Sequence, residues 1–312
     1  MNNKTEEIRE TVDALKNYMT RRHISNQAKI AKAIGVSNTT ISQFLAGKYS
    51  GDVDKIEAKV DEFLTRELER DAQVVAKAPF VRTTQAHDAL SVVKFCHLHR
   101  QIGVIHAPAG LGKSISLRHY AQENSWVRII TCLAGMSRRD VLDEIADALN
   151  LIVRGSGGKI LKAIIGELKG SETILVFDEA QHLTLKHYEM IRYINDKIGT
   201  PIVFAGTNDI IDRMTGRKNI VYDQIFSRVG IKRRLKPNIL KTDIALLAES
   251  AGVAGARREI IDYLYGVAQR AGYYRTMMNC LNLAKIMAKE KMETLEVGHL
   301  QTAARVLWDG AA

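Results

Sequence analysis

Apolar residues fall at two different spacings along this chain, and the changes between them divide it. Ile8, Val12, Leu15 and Met19 recur at helical intervals between Glu6 and Met19. The stretch from Ser25 to Ile34 reads as a short helix, Gly35 as a tight turn, and Ser37 as the N-cap of a further helix. Ala31, Ile34, Val36, Ile41 and Leu45 make the seam expected to lock these two helices, leaving Asn38, Thr39, Thr40 and Gln43 facing outward. From Thr65 to about Thr84 the pattern reads as the end of a helix and then a linker broken at Pro79.

Short continuous apolar runs then alternate with helical stretches. Strands are expected at Gln101–His106, Val127–Leu133, Thr173–Glu179, Pro201–Asn208 and Val229–Leu235. Between them, helices are expected at Ser114–Asn124, Arg138–Leu149, Lys159–Leu168 and Leu185–Ile198. Alternation of this kind implies an α/β fold, a parallel sheet with helices on both faces. From Ile239 to Trp308 only helical spacing remains, carried by Ile244, Leu247 and Ala248, by Ile260, Leu264 and Val267, and by Leu281, Leu283, Ile286 and Met287. The expected domains are a helix-turn-helix unit (1–65), a linker (66–84), an α/β core (85–237) and a helical C-terminal region (238–312).

Composition narrows the classes of function. The chain has 312 residues, 46% of them hydrophobic, enough for more than one packed core. No apolar run approaches the ~20 residues needed to span a bilayer, so no membrane partner is expected. The first residues lack the apolar stretch of a signal peptide, which points to an intracellular, soluble protein. Cys96, Cys132 and Cys280 are scattered and odd in number, so no disulfide framework is expected. Cys96 and His99 share a helix face, but no second Cys/His cluster completes a metal site. The formal net charge of +10 suits a polyanionic partner such as DNA. Arg213, Arg217, Lys218, Arg228, Lys232, Arg233, Arg234, Lys236 and Lys241 concentrate that charge in one stretch.

Two motifs carry chemistry. Val104-Ile105-His106 runs into Ala107-Pro108-Ala109-Gly110-Leu111-Gly112-Lys113-Ser114, a strand, a Gly-rich turn and a helix start. Such a turn presents backbone N–H groups and a helix dipole to anionic phosphates. Lys113 is placed for the β- and γ-phosphates of ATP and the Ser114 hydroxyl for Mg²⁺. Ala107 stands where G-x-x-x-x-G-K-[S/T] has its first glycine. The second motif is the apolar strand ending in Asp178-Glu179, whose acids fall at the carboxyl end where α/β folds bind ligands. Asp178 suits the Mg²⁺ shell and Glu179 the deprotonation of an attacking water.

In order, these motifs resemble the AAA+ ATPase family over roughly residues 85–310, with 238–312 as its helical lid. The N-terminal helices are similar to the Cro-like helix-turn-helix, in which the second helix enters the major groove. The AAA+ resemblance implies a Mg²⁺-dependent ATPase in which Asn208 of Gly206-Thr207-Asn208 orients water near the γ-phosphate. It makes Arg228 of Phe226-Ser227-Arg228 an arginine finger toward a neighbouring subunit, and Arg275 of Gly272-Tyr273-Tyr274-Arg275 the lid's phosphate sensor. The combination of Cro-like head and AAA+ module resembles the ATP-dependent target-DNA activators of transposing phages. That implies a host-cytoplasmic protein that assembles into ATP-dependent oligomers or filaments on double-stranded DNA and delivers the DNA to a DDE-type transposase. Arg154 and Lys159, with Lys232, Arg233 and Arg234, are the candidates for DNA contact outside the head. A helicase loader, or a nucleotide-sensing helix-turn-helix regulator, is the alternative.

Overall fold

The computed structural model describes residues 2–21, 27–73, 79–211, 228–253, 255 and 257–308. They form two compact units, residues 1–78 and 79–312.

The first unit holds helices α1 (Asn2–Arg21), α2 (Gln27–Ile34), α3 (Asn38–Leu45) and α4 (Val53–Gln73). Gly35 adopts φ +76°, open to glycine without steric cost, and this reverses the chain between α2 and α3. Ser37 caps α3 by accepting from the Thr40 backbone N–H. The same Ser37 hydroxyl lies 2.8 Å from the Thr40 hydroxyl, and Thr40 is half-buried in the cap. Asn38, Thr39 and Gln43 are exposed. Phe44, three residues beyond Ile41, fills the seam beside it, whereas Leu45 and Val36 only border the core. Helix α4 continues to Gln73, well past Thr65, because no Gly or Pro interrupts that stretch.

In the second unit five parallel strands, β1 (Ile102–His106), β2 (Val127–Thr131), β3 (Ile174–Asp178), β4 (Ile202–Gly206) and β5 (Val229–Arg234), order as β2-β3-β4-β1-β5. The inner strands are buried on both faces, which is why they read as unbroken apolar runs. Alternate side chains separate two cores. Ile174 and Val176 of β3 face the core shared with α5 (Thr84–His99) and α6 (Lys113–Glu123); Leu175 and Phe177 face the one shared with α7 (Arg138–Ala148), α8 (Gly157–Leu168) and α9 (Leu185–Ile198). Four C-terminal helices, α10 (Lys241–Ser250), α11 (Arg258–Ala268), α12 (Tyr273–Glu290) and α13 (Val297–Trp308), extend the first of these cores, so Leu264, Met277 and Leu300 share one cluster with Leu111 of the Gly-rich turn. Among the described residues no helix is long and apolar enough to cross a membrane.

Helix α9 contains a pH-sensitive cap. Thr184 donates its backbone N–H to His187 Nδ1 at 3.0 Å, and His187 is buried. Burial, reinforced by Arg138, holds the imidazole below its ordinary 6.5. With a folded pKa below the unfolded one, the unfolded chain takes up the proton first as pH falls. Stability is therefore whole above about 6.5 and declines below it, until the folded imidazole also titrates. His187→Gln, which keeps an acceptor but cannot titrate, is expected to flatten the fall in Tm between neutral and mildly acid pH. An unchanged slope in thermal unfolding would remove His187 as the source.

Candidate nucleotide site

The carboxyl ends of β1, β3 and β4 converge on one edge of the sheet, and every side chain expected there except Arg228 comes with them. The turn after β1 is anchored at both ends. Ala107 is buried and its N–H bonds to the Gly206 carbonyl of β4 at 3.1 Å; its φ is not positive, so the position does not require glycine. Leu111 plugs the turn into the core. Gly110 (φ +94°) and Gly112 (φ +84°) have left-handed backbones that make the bend, and Gly112 caps α6. Pro108 and Ala109 lie between these anchors at the mouth of the turn.

Lys113 folds back into the turn, donating from Nζ to the Ala107 carbonyl at 2.9 Å and to the Pro108 carbonyl at 3.1 Å. Burial lowers its pKa; Glu179 and Asp178 act against that, and Arg275 adds to it. Two cations, one from the core and one from the helical region, thus act on the same small volume beside two acids. Such a convergence suits a polyanion.

Ser114 donates its hydroxyl to Asp178 Oδ1 at 3.0 Å. Asp178 is buried, and its second oxygen, Oδ2, has no hydrogen bond; the nearest cation is Arg118 Nη2 at 3.7 Å. Burial pushes this carboxyl above the ordinary range, opposed by the Ser114 hydroxyl. A buried carboxylate oxygen without a partner, beside a hydroxyl, is a donor set that fits Mg²⁺. Thr207 Oγ1, at the end of β4, is also buried without a partner.

Glu179 sits at φ 57°, ψ 34°, a left-handed conformation that a non-glycine residue holds only when its surroundings enforce it. Its backbone N–H donates to Asp178 Oδ1 at 3.0 Å, and its carboxylate is held by Gln181. The Gln181 amide donates to Glu179 Oε2 at 2.5 Å and accepts from the Thr207 backbone N–H at 3.1 Å. A Cβ at Gly206 would lie 2.2 Å from that amide oxygen, so glycine is needed to admit it. Asn208 is tied in turn to β1, with its Oδ1 2.9 Å from His106 Nδ1. Gln181 does not stand out in the sequence; for His106 the signal is a histidine ending an otherwise apolar strand.

The helical region closes on the turn at its tightest point. A Cβ on Gly110 would stand 2.0 Å from the Gly272 carbonyl oxygen, and the Arg275 N–H lies 3.4 Å from the Gly110 carbonyl. Arg275 is therefore beside the site. Arg228 is not: it is exposed and precedes Val229, which pairs with Ile102 at the start of β1. The length of a strand, roughly 15 Å, separates it from the turn of its own chain.

The basic candidates fall into separate groups. Arg154 and Lys159 are exposed around the α7–α8 connection. Gly157 and Gly158 belong to the first turn of α8, since the helix starts after Ser156; only Gly155, at φ +132°, lies in the connection. Lys232, Arg233 and Arg234 lie on edge strand β5. Arg233, exposed, pairs with Asp88 of α5 at 2.7 Å, 145 residues away in sequence. Arg213, Arg217 and Lys218, like Phe226 and Ser227, lie outside the described residues.

Residues 96–214 match the AAA domain model, and residues 227–307 match the model described as Mu B transposition protein, C terminal. Over these two stretches the chain is similar to AAA domains and to the Mu B transposition protein. Its relatives include the ATP-dependent target DNA activator B of Escherichia phage D108, 29% identical with 89% of each chain covered, and its counterpart in Escherichia phage Mu, 28% identical over the same shares. The Mu-like prophage FluMu DNA transposition protein B of Haemophilus influenzae is 23% identical, covering 85% of this chain and 93% of its own. The two family matches meet on either side of residues 215–226, so the Mu B-type segment takes in β5 and all four C-terminal helices.

Proposed function

We propose that this chain is an ATP-driven, largely sequence-tolerant DNA-binding protein that assembles on duplex DNA and presents it to a transposase. The supporting observation is the direct contact between the phosphate-binding turn and the start of α12, which makes the position of the Mu B-type segment depend on what the turn holds. Relatives named as ATP-dependent target DNA activators favour this reading over a helicase loader or a transcriptional regulator.

In this reading Lys113, the turn amides and Arg275 bind the triphosphate. Ser114 and Asp178 would hold Mg²⁺, which would supply charge neutralisation for the phosphates. Glu179 takes the proton of the attacking water, and Asn208 orients that water. Arg228, remote from its own turn, serves a neighbouring subunit's nucleotide, so oligomers form only while the γ-phosphate is present. Arg154, Lys159, Lys232 and Arg234 supply phosphate contacts along the duplex, and Asn38, Thr39 and Gln43 supply those of the head.

Binding to random-sequence duplex DNA with ATP, with ADP and without nucleotide, over a range of salt, tests the proposal. Tight binding with ATP alone, weakening steeply as salt rises, is expected. Equal binding in the three states would break the link between nucleotide and DNA.

A further inference from the structure

Three polar side chains form a buried node that the nucleotide chemistry does not use. Tyr274 of α12, Gln85 of α5 and Asp243 of α10 are each at most 6% exposed. The Tyr274 hydroxyl donates to Gln85 Oε1 and lies 3.0 Å from Asp243 Oδ2. The Asp243 carboxylate accepts the Thr84 backbone N–H, an orphan donor of the first turn of α5, at 3.2 Å. Gln85 Nε2 donates to the Asn238 carbonyl at 2.7 Å, binding the strap between β5 and α10 to the same point.

The node's position gives it a use. Helix α12 starts from two successive left-handed residues, Gly272 (φ +91°) and Tyr273 (φ +46°), so the turn alone gives little purchase on the core. Tyr274 is the first buried side chain after that turn, and Arg275, the next residue, is exposed beside the Gly-rich turn. Consecutive helical residues point about 100° apart. One therefore anchors inward while the other reaches the site.

We propose that Tyr274 is a positioning residue that locks the start of α12, and with it Arg275, to the first turn of α5. A phosphate held by Arg275 then tightens the segment by which the chain enters its second unit. The proposal rests on the reading of Arg275 as a phosphate-contacting residue. Buried hydrogen-bonded networks of this kind behave as units: loosening one member is felt by the others.

Hydrogen exchange on the full chain provides the test. Saturating ATP is expected to slow exchange of the Thr84–His87 amides about tenfold, a coupling within the ordinary range. In Arg275→Ala, again at saturating ATP, that slowing should vanish; protection that persists overturns the proposal. Tyr274→Phe should weaken binding of a fluorescent ATP analogue about five- to tenfold in the natural chain, and add nothing in the Arg275→Ala background. Independent, additive losses in the two backgrounds would reduce Tyr274 to a packing residue and overturn the coupling. Should Tyr274→Phe fail to fold, the exchange comparison between the natural chain and Arg275→Ala decides alone. A natural chain that binds no ATP removes the nucleotide reading as well, and the binding measurement shows this before any exchange is read.

Discussion

Lys113→Ala is expected to lose ATP binding by about 10²–10⁴-fold, and nucleotide-dependent DNA binding with it. The magnitude follows from two charge-assisted hydrogen bonds to phosphate, each contributing about 1.5–3 kcal/mol. The fold is expected to survive. The ammonium is buried, and burial lowers its pKa, so its removal relieves the desolvation of a charge even as it frees the Ala107 and Pro108 carbonyls. Those two effects oppose one another, and Leu111, Ala107 and the glycine turn remain to hold the loop. Thermal unfolding should therefore shift little while equilibrium binding of a fluorescent ATP analogue collapses. Binding at the natural affinity would show that the triphosphate sits elsewhere. A large fall in Tm would instead make Lys113 a keystone of the turn, with its effect on ATP indirect.

What the sequence announces and what it hides differ for physical reasons. The inner strands were legible because burial on both faces leaves unbroken apolar runs, and Asp178 and Glu179 stand out as acids closing one of them. Ser37 and Gly35 were legible because capping and left-handed turns select few residue types. Helix α5 gave no clear signal of its own. Ala86, Ala89, Leu90, Val92, Val93 and Cys96 are all buried, a stripe too wide for amphipathic spacing, because the helix packs against β1, β4 and β5 and against α6. Gln181 was invisible because its role depends on a left-handed Glu179, which no local propensity foretells. The pairing of Arg233 with Asp88, and the insertion of β4 between β1 and β3, are tertiary facts that arise only when the sheet is assembled. The site's main charged groups, with Ser114 and Asn208, were thus readable; the roles of the neutral partners Gln181 and His106 that hold Glu179 and Asn208 were not.

Those neutral residues shape the second large effect. Glu179→Gln is expected to bind ATP within a few-fold of the natural chain while its turnover falls about 10²–10⁴-fold, the usual contribution of a general base. The substitution is close to isosteric, and a glutamine at 179 can still accept from the Gln181 amide that now meets Glu179 Oε2. The Thr207 N–H keeps its bond to Gln181, so the ends of β3 and β4 stay joined and Asn208 stays beside His106. What is lost is the carboxylate's capacity to take a proton. Asp178 is a poor substitute, because one of its oxygens is engaged by Ser114 and burial raises its pKa without opening it to water. The ATP-bound state should then persist, and DNA complexes formed with ATP should outlast those of the natural chain in a dissociation chase. Single-turnover hydrolysis separates chemistry from product release. A natural rate in that measurement would acquit Glu179 as the base and leave the water to be oriented by Asn208 and activated by the phosphate itself. Slow hydrolysis joined to short-lived DNA complexes would mean something different: that γ-phosphate cleavage is not the step that lets go of DNA.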